Sequence, residues 1–247
     1  MEHLAERLAA IPNVVAVTLG GSRATGAARD DSDWDFGLYY RESIDPGDIA
    51  ALGWPGRVFA PGEWGTIVNG GAWLEVDGTK VDLIYRNLDE VGHWVREAEA
   101  GRFEIRREVG YVAGIATYIL VGELALHRVL VGELPRPSFP AALSETAPPV
   151  WFNLAAGALH FARVHAKRSD RASSLANLCQ AVLATAQGRL AARCEWALNE
   201  KGIVARAGLD EIEQVLDDRG KDLTTLVAAT DRVLDLPGSL WRSGSTT

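Results

Sequence analysis

Val14 to Tyr40, reading VVAVTLGGSRATGAARDDSDWDFGLYY, limits most severely what this chain can fold into. It opens on an apolar, largely β-branched run, Val14 to Leu19, whose length and composition suit a buried strand. Gly20 and Gly21 end that run. Ser22 is a good helix N-cap, and Ala24, Ala27 and Ala28 favour helix, so a helix is expected over Ser22 to Ala28. A second strand follows through Ser-Asp-Trp-Asp-Phe-Gly-Leu-Tyr-Tyr. Asp33 and Asp35 lie two apart on it and share one face, while Trp34 and Phe36 share the other.

Two carboxylates side by side on a strand repel each other, at a cost of about 1 to 4 kcal/mol at ~4 Å depending on the local dielectric. A divalent cation would explain the pair. Mg²⁺ takes oxygen ligands from one or two carboxylates and fills the rest of its shell with substrate phosphates. The Gly-Gly-Ser turn presents bare backbone N–H groups at a helix start, which attract phosphate. Strand, glycine turn, helix, strand and paired Asp together describe a site for a nucleoside triphosphate. A P-loop is excluded because no G-x-x-x-x-G-K-[ST] occurs. A dinucleotide fingerprint fits poorly, since the glycines fall at 20, 21 and 26.

Gly20-Gly21-Ser22 followed by Asp33-x-Asp35 resembles the nucleotidyltransferase superfamily that includes DNA polymerase β and the aminoglycoside nucleotidyltransferases. The likeness covers about the first hundred residues. It implies an α/β (α+β) catalytic domain with a short mixed sheet, here 1–134, followed by an all-α helical bundle, here 135–247. It also implies a third carboxylate on a later strand. Asp82, an acid inside the apolar strand Val-Asp-Leu-Ile-Tyr, stands at that kind of position, and a buried Asp needs a partner in any case. By this resemblance Asp33, Asp35 and Asp82 are the catalytic and metal-binding residues. Two Mg²⁺ ions would be held with ATP or another NTP, and Gly20, Gly21, Ser22 and Arg23 would hold the nucleotide. Relatives of the aminoglycoside type lend a Lys from the helical domain to the triphosphate, and Lys201 resembles that residue in placement. Asp82 would also take the acceptor's proton, with Glu63 or Glu97 as alternative bases.

The implied reaction moves a nucleoside monophosphate, AMP first among candidates, onto a hydroxyl of a small molecule such as an aminoglycoside-like antibiotic, with release of pyrophosphate. The alternatives are a protein or tRNA acceptor, or a non-catalytic nucleotide-binding module. Charge bears on the partner. Of the net −8, residues 1–134 hold 12 Lys+Arg against 21 Asp+Glu, a net −9, leaving +1 for residues 135–247. An acidic catalytic half argues against a long nucleic acid, whose phosphates demand cations, and permits a cationic acceptor. No apolar run is long enough to span a membrane. The amphipathic start, MEHLAERLAAIPN, lacks the plan of a signal peptide, so a cytoplasmic protein is expected.

The remaining chain divides by punctuation. Pro46 to Gly53 suits one or two helical turns begun by Pro46. A loop with Trp54 and Trp64 follows, with a short strand expected near Arg57 to Ala60; these tryptophans are packing residues, with base stacking by one of them as the alternative. Asp77-Gly78 between Ala72–Val76 and Thr79–Arg86 marks a hairpin. Asp77 is then a turn residue and Glu75 faces solvent. Asn87 or Asp89 caps a helix to Ala100, ended by Gly101. Tyr111 to Leu134 reads as mostly helical, with His127 packed or at the surface. Pro135, Pro137, Pro140, Pro148 and Pro149 mark a joint. Helices are then expected over Trp151–Lys167, Arg171–Leu198, Leu209–Leu216 and Leu223–Leu234, with a frayed polar tail. Arg163, Lys167, Arg168 and Arg171 form a basic cluster at a helix end, where cations complement the dipole. Cys179 and Cys194 read as buried free thiols.

Overall fold

The computed structural model describes residues 2–26, 32–217 and 222–237. The chain separates into two compact units, interleaved in sequence. One takes residues up to Ala98, Glu104–Val109 and Ala116–Ser138; the other takes Glu99–Phe103, Gly110–Ile115 and the chain from Phe139 onward.

The first unit holds α1 (Glu2–Ala9), β1 (Val14–Leu19), α2 (Gly21–Thr25), β2 (Trp34–Tyr40), α3 (Pro46–Ala50), β3 (Gly56–Val58), β4 (Gly71–Val76), β5 (Thr79–Asn87) and α4 (Leu88–Glu99). After the short β6 (Ile105–Arg106) and β7 (Ile115–Ala116) come α5 (Ile119–Leu126) and β8 (Arg128–Val131). Six strands form one mixed sheet in the order β3-β4-β5-β2-β1-β8. Only the central β2–β5 pair is parallel. Alternation along the strands sends Phe36, Leu38, Val81, Leu83 and Tyr85 to one face, where they pack with Leu4 and Leu8 of α1 and Ile49 of α3. Leu4 and Leu8 are fully buried, each contributing about 1.5 to 3 kcal/mol. Asp35, Gly37 and Tyr39 lie on the opposite face, as do their β5 register partners Asp82, Ile84 and Arg86.

On that second face Arg86 and Glu123 of α5 form a buried two-point ion pair, with Nε to Oε2 at 2.5 Å and Nη2 to Oε1 at 2.6 Å. Arg86 Nη1 also donates to the carbonyls of Ile67, Val68 and Tyr85. The Arg86 side chain therefore ties β5, a loop and α5 together. Asn87 caps α4, its Oδ1 accepting from the N–H groups of Asp89 and Glu90. Asp77 and Gly78 both take positive φ, 52° and 74°, the geometry of a type I′ hairpin.

Several expectations need correction. Tyr111 to Leu134 is helical only over α5; Arg128–Val131 is a strand pairing with β1. Four residues of β-branched and apolar alternation are too few to declare themselves without their partner. The helix after the first two glycines is Gly21–Thr25, and Gly26, in the left-handed region, stops it. Residues 27–31, and with them the expected end at Ala28, lie outside the described residues. Ser22 is inside that helix; the N-cap is Gly20, with no side-chain cap bond.

The second unit contains α6 (Ala141–Lys167), α7 (Arg171–Ala192), α8 (Ile203–Arg206), α9 (Glu211–Asp217) and α10 (Leu223–Leu234). Helix α6 begins ten residues before the expected Trp151 and runs through Pro148 and Pro149. Prolines remove helical N–H donors, but Trp151 and Ala147 beside them are fully buried, so packing outweighs the lost bonds. Helix α7 ends at Ala192, not Leu198. Asp170 caps α7 and Asp222 caps α10, each accepting from a backbone N–H three residues on. Gly188 lets α7 approach Phe152 of α6, where a Cβ would come within 2.6 Å of the ring. Arg163 of the basic cluster pairs with Asp231 of α10 at 2.6 Å. Cys179 and Cys194 are free thiols, as expected, but exposed rather than buried. The polar tail lies outside the described residues.

Candidate active site

The site begins where β1 ends. Gly20 N–H donates to the Asp35 carbonyl at 2.7 Å, pinning the turn to β2. Gly21 adopts φ of 60°, and a Cβ there would overlap Asp35 Oδ2. The Asp35 carboxylate thus packs directly over the Gly21 backbone, an approach only glycine permits. His127, between α5 and β8, backs the same turn. Its Nδ1 lies 3.2 Å from Thr18 Oγ1, and a Cβ on Gly20 would come within 2.9 Å of its Nε2. Burial, opposed by the nearby Glu123 carboxylate and helped by the Arg86 charge, holds His127 below its ordinary pKa. His127 belongs to the shell of the turn, a role no spacing in the sequence signals, because β8 brings it there.

Asp35 on β2 and Asp82 on β5 are direct neighbours in the parallel register. Asp33 lies just before β2 and is exposed, whereas Asp35 and Asp82 are half-buried. The Asp82 carboxyl is pushed up to about 6, first by burial, then by the charges of Asp35 and Asp33, with Lys80 opposing. All three acids therefore share one electrostatic field. They are not drawn into a ready-made chelate: among the described residues no group of three or more His, Cys, Asp or Glu side chains could hold a metal ion by itself. The donor chemistry suits a hard divalent cation that takes part of its shell from substrate phosphates.

Arg23 lies on α2, at the end nearer Asp33. Its guanidinium donates to the carbonyl of Ser32 at 2.6 Å and 3.1 Å and to that of Asp33 at 3.3 Å. It also lies 4.5 Å from the centre of the Trp34 ring. These contacts hold the segment that carries Asp33. Glu63 is tied into its own loop by the Ala60 N–H, and Glu97 lies on α4. Lys201 belongs to the second unit, exposed on the turn before α8, with its backbone N–H donating to Asn199 Oδ1. Trp54 packs against Arg7. Trp64 stacks on Trp73 with centroids 5.4 Å apart, and both rings contact Phe59. The aromatic residue beside the acids is Trp73, the cross-strand partner of Asp82. In sequence it is one apolar residue of a strand, and only the register places it.

The first unit is thus a mixed sheet with paired acids beside a glycine turn. Residues 1–103 match the family model described as nucleotidyltransferase domain. The matched segment is followed by a helical region. A crystal structure of a nucleotidyltransferase-like protein from Exiguobacterium sibiricum 255-15 is 12% identical, with 94% of this chain and 71% of that chain covered and a TM-score of 0.46. No curated protein sequence matches the chain. Among the described residues no helix is long and apolar enough to cross a membrane.

Proposed function

We propose that the protein transfers a nucleoside monophosphate from an NTP, ATP first, to a hydroxyl of a small cationic acceptor of the aminoglycoside type, with release of pyrophosphate. The observation that carries this reading is the register pair Asp35–Asp82 beside the Gly20–Ser22 turn, with the Asp82 carboxyl at about 6. Asp33, Asp35 and Asp82 would hold Mg²⁺, two ions by family resemblance. Bound there, the metal would neutralise triphosphate charge and stabilise the attacking and leaving oxygens.

The chain's own residues do the rest. The backbone N–H groups of Gly21 and Ser22 face phosphate oxygens, and Arg23 steadies the segment bearing Asp33. The acceptor oxygen bonds to the α-phosphorus while the bond to the bridging oxygen of the β-phosphate breaks. Asp82 would also receive the hydroxyl proton, with Glu63 or Glu97 as the alternative bases. Lys201 would add a cation to the triphosphate. The net −9 of residues 1–134 favours a cationic acceptor over a polyanion.

Pyrophosphate release with ATP and a panel of aminoglycoside, protein and tRNA acceptors tests the reading, with Mg²⁺ and with EDTA. Release that requires both Mg²⁺ and an aminoglycoside is expected. Release with tRNA or protein alone would move the acceptor to another class, and metal-independent release would remove the carboxylate assignment.

A further inference from the structure

The two glycines of the turn are required for different reasons. Gly21 takes a left-handed φ and has Asp35 packed over it. Gly20 has φ of −110° and ψ of −161°, extended backbone open to any residue. What forbids a side chain there is His127, whose Nε2 would stand 2.9 Å from the added Cβ. The imidazole therefore fills the space of the missing side chain. That space lies on the acid-bearing face of the sheet. Thr18 is the register partner of Gly37, and Gly20, two residues on, donates to the Asp35 carbonyl. Leu19 pairs with Phe36 on β2 and with Arg128 on β8, so Asp35 and His127 flank Gly20 from its two sides.

The ring is held from two directions. The His127 backbone N–H donates to the Glu123 carbonyl at 2.8 Å, at the end of α5, and Nδ1 lies 3.2 Å from Thr18 Oγ1. Thr18 is fully buried, and among the described residues its hydroxyl proton has Nδ1 as its one acceptor. Nδ1 thus accepts, which places the proton of the neutral ring on Nε2. A doubly protonated ring would carry a proton there as well. No hydrogen bond joins Nε2 to another described residue.

We propose that His127 is a phosphate-binding residue of this site, donating through Nε2 to an oxygen of the nucleotide's triphosphate. The inference rests on the nucleotidyl-transfer reading and adds to it a side chain from the corner between α5 and β8. Under that reading the triphosphate lies against the acids and the Gly20–Ser22 turn. A phosphate oxygen over Gly20 then has Asp35 with its metal on one side and the imidazole N–H on the other. A hydrogen bond to an anionic oxygen is charge-assisted and stronger than a neutral one. The donor is oriented before the ligand arrives, so binding pays little to order it.

The test reads the ring itself, in the full-length protein. Long-range ¹H–¹⁵N correlation follows the His127 ring as Mg·tripolyphosphate and Mg·ATP are titrated in. Calorimetry gives both affinities for the wild type, His127→Phe and His127→Gln, and thermal melts check folding. Phe fills the ring's space without a donor; Gln keeps an N–H but not the ring. Expected are a proton on Nε2 in the free protein and a downfield shift of that proton with either ligand. His127→Phe should bind both ligands about tenfold more weakly, with most of the loss restored in His127→Gln. A ring that only braces the turn predicts the opposite ranking, because Phe fills its space better. A proton on Nδ1 alone, an Nε2 signal unmoved at saturating tripolyphosphate, or wild-type affinity in a folded His127→Phe overturns the donor. If His127→Phe does not fold, the wild-type ring signal decides. A shifted Nε2 proton without pyrophosphate release to any acceptor removes the transfer reading and leaves the donor standing. Transfer with an unmoved ring does the reverse, and a wild type that binds neither ligand overturns both.

Discussion

Burial and the charges of Asp35 and Asp33 hold the Asp82 carboxyl at about 6, against an ordinary 3.8. Between those values the folded state binds more protons than the unfolded chain, so this group's contribution to stability falls as pH rises from about 4 to 6. Above that window Asp82 costs about 1 to 2 kcal/mol, discounted for its half-exposed position. The metal-free Asp82→Asn variant should therefore melt higher than wild type at pH 7, with the gap closing by pH 4. Melts that stay equal at both pH values would deny the strained carboxylate. Asp35→Asn removes the second cause and leaves burial, the first. The Asp82 midpoint, followed by carboxyl ¹³C chemical shift, should fall toward the ordinary range without reaching it. An unmoved midpoint would mean that the register neighbours do not share a field. Ser22 also changes meaning at this scale. Because Gly20 is the N-cap, a side-chain cap, worth about 1 kcal/mol, is not what Ser22→Ala removes. A rise in the KM for ATP would mark its phosphate role.

At the scale of elements, β8 and α5 explain how the glycine turn is braced. Strand β8 pairs with β1 on the side away from β2 and delivers His127 to Gly20 and Thr18. Helix α5 is buried nearly all round and brings Glu123 to Arg86. Cutting one partner of a buried pair leaves an uncompensated charge, which costs about 3 to 5 kcal/mol. Glu123→Ala should lose about that much in denaturant unfolding, whereas the double change Arg86→Met with Glu123→Leu should lose much less. A double variant as unstable as the single would place the value of the pair in its carbonyl contacts to Ile67 and Val68 instead. The β4–β5 hairpin sets a second element-scale constraint. A residue with a Cβ at Gly78, held at φ of 74°, strains the turn that keeps Trp73 opposite Asp82.

For the whole molecule, the uneven charge sets the question of what the helical unit adds. The first 134 residues are net −9 and the rest net +1, so cations that could oppose a triphosphate are scarce there. Lys201→Ala should lower the rate of transfer by about 10²-fold, the scale of losing one preorganised charge contact. Its melting temperature should be unchanged, since the side chain is exposed. A wild-type rate would retire Lys201. Arg163 is a poorer candidate for the same role, being already paired with Asp231.

The local sequence by itself determined strands β1, β2, β4 and β5, the glycine turn and the acids, because each depends on short-range chemistry. A β-branched run buries itself, Asp-Gly fits a type I′ turn, and Asp33-x-Asp35 keeps one face whatever lies beyond. It also marked the cap at Asn87, whose bonds span only a few residues. What depends on distant partners was decided by tertiary structure alone. Arg128–Val131 becomes a strand only because β1 offers an edge, and His127 enters the site's shell only through that pairing. Pro148 and Pro149 sit inside a helix because burial around Trp151 outweighs the local rule against them. Trp73 stands beside Asp82 through a register that no single strand contains. Periodicity reports which face of an element a side chain takes; only the pairing of elements decides what that face meets.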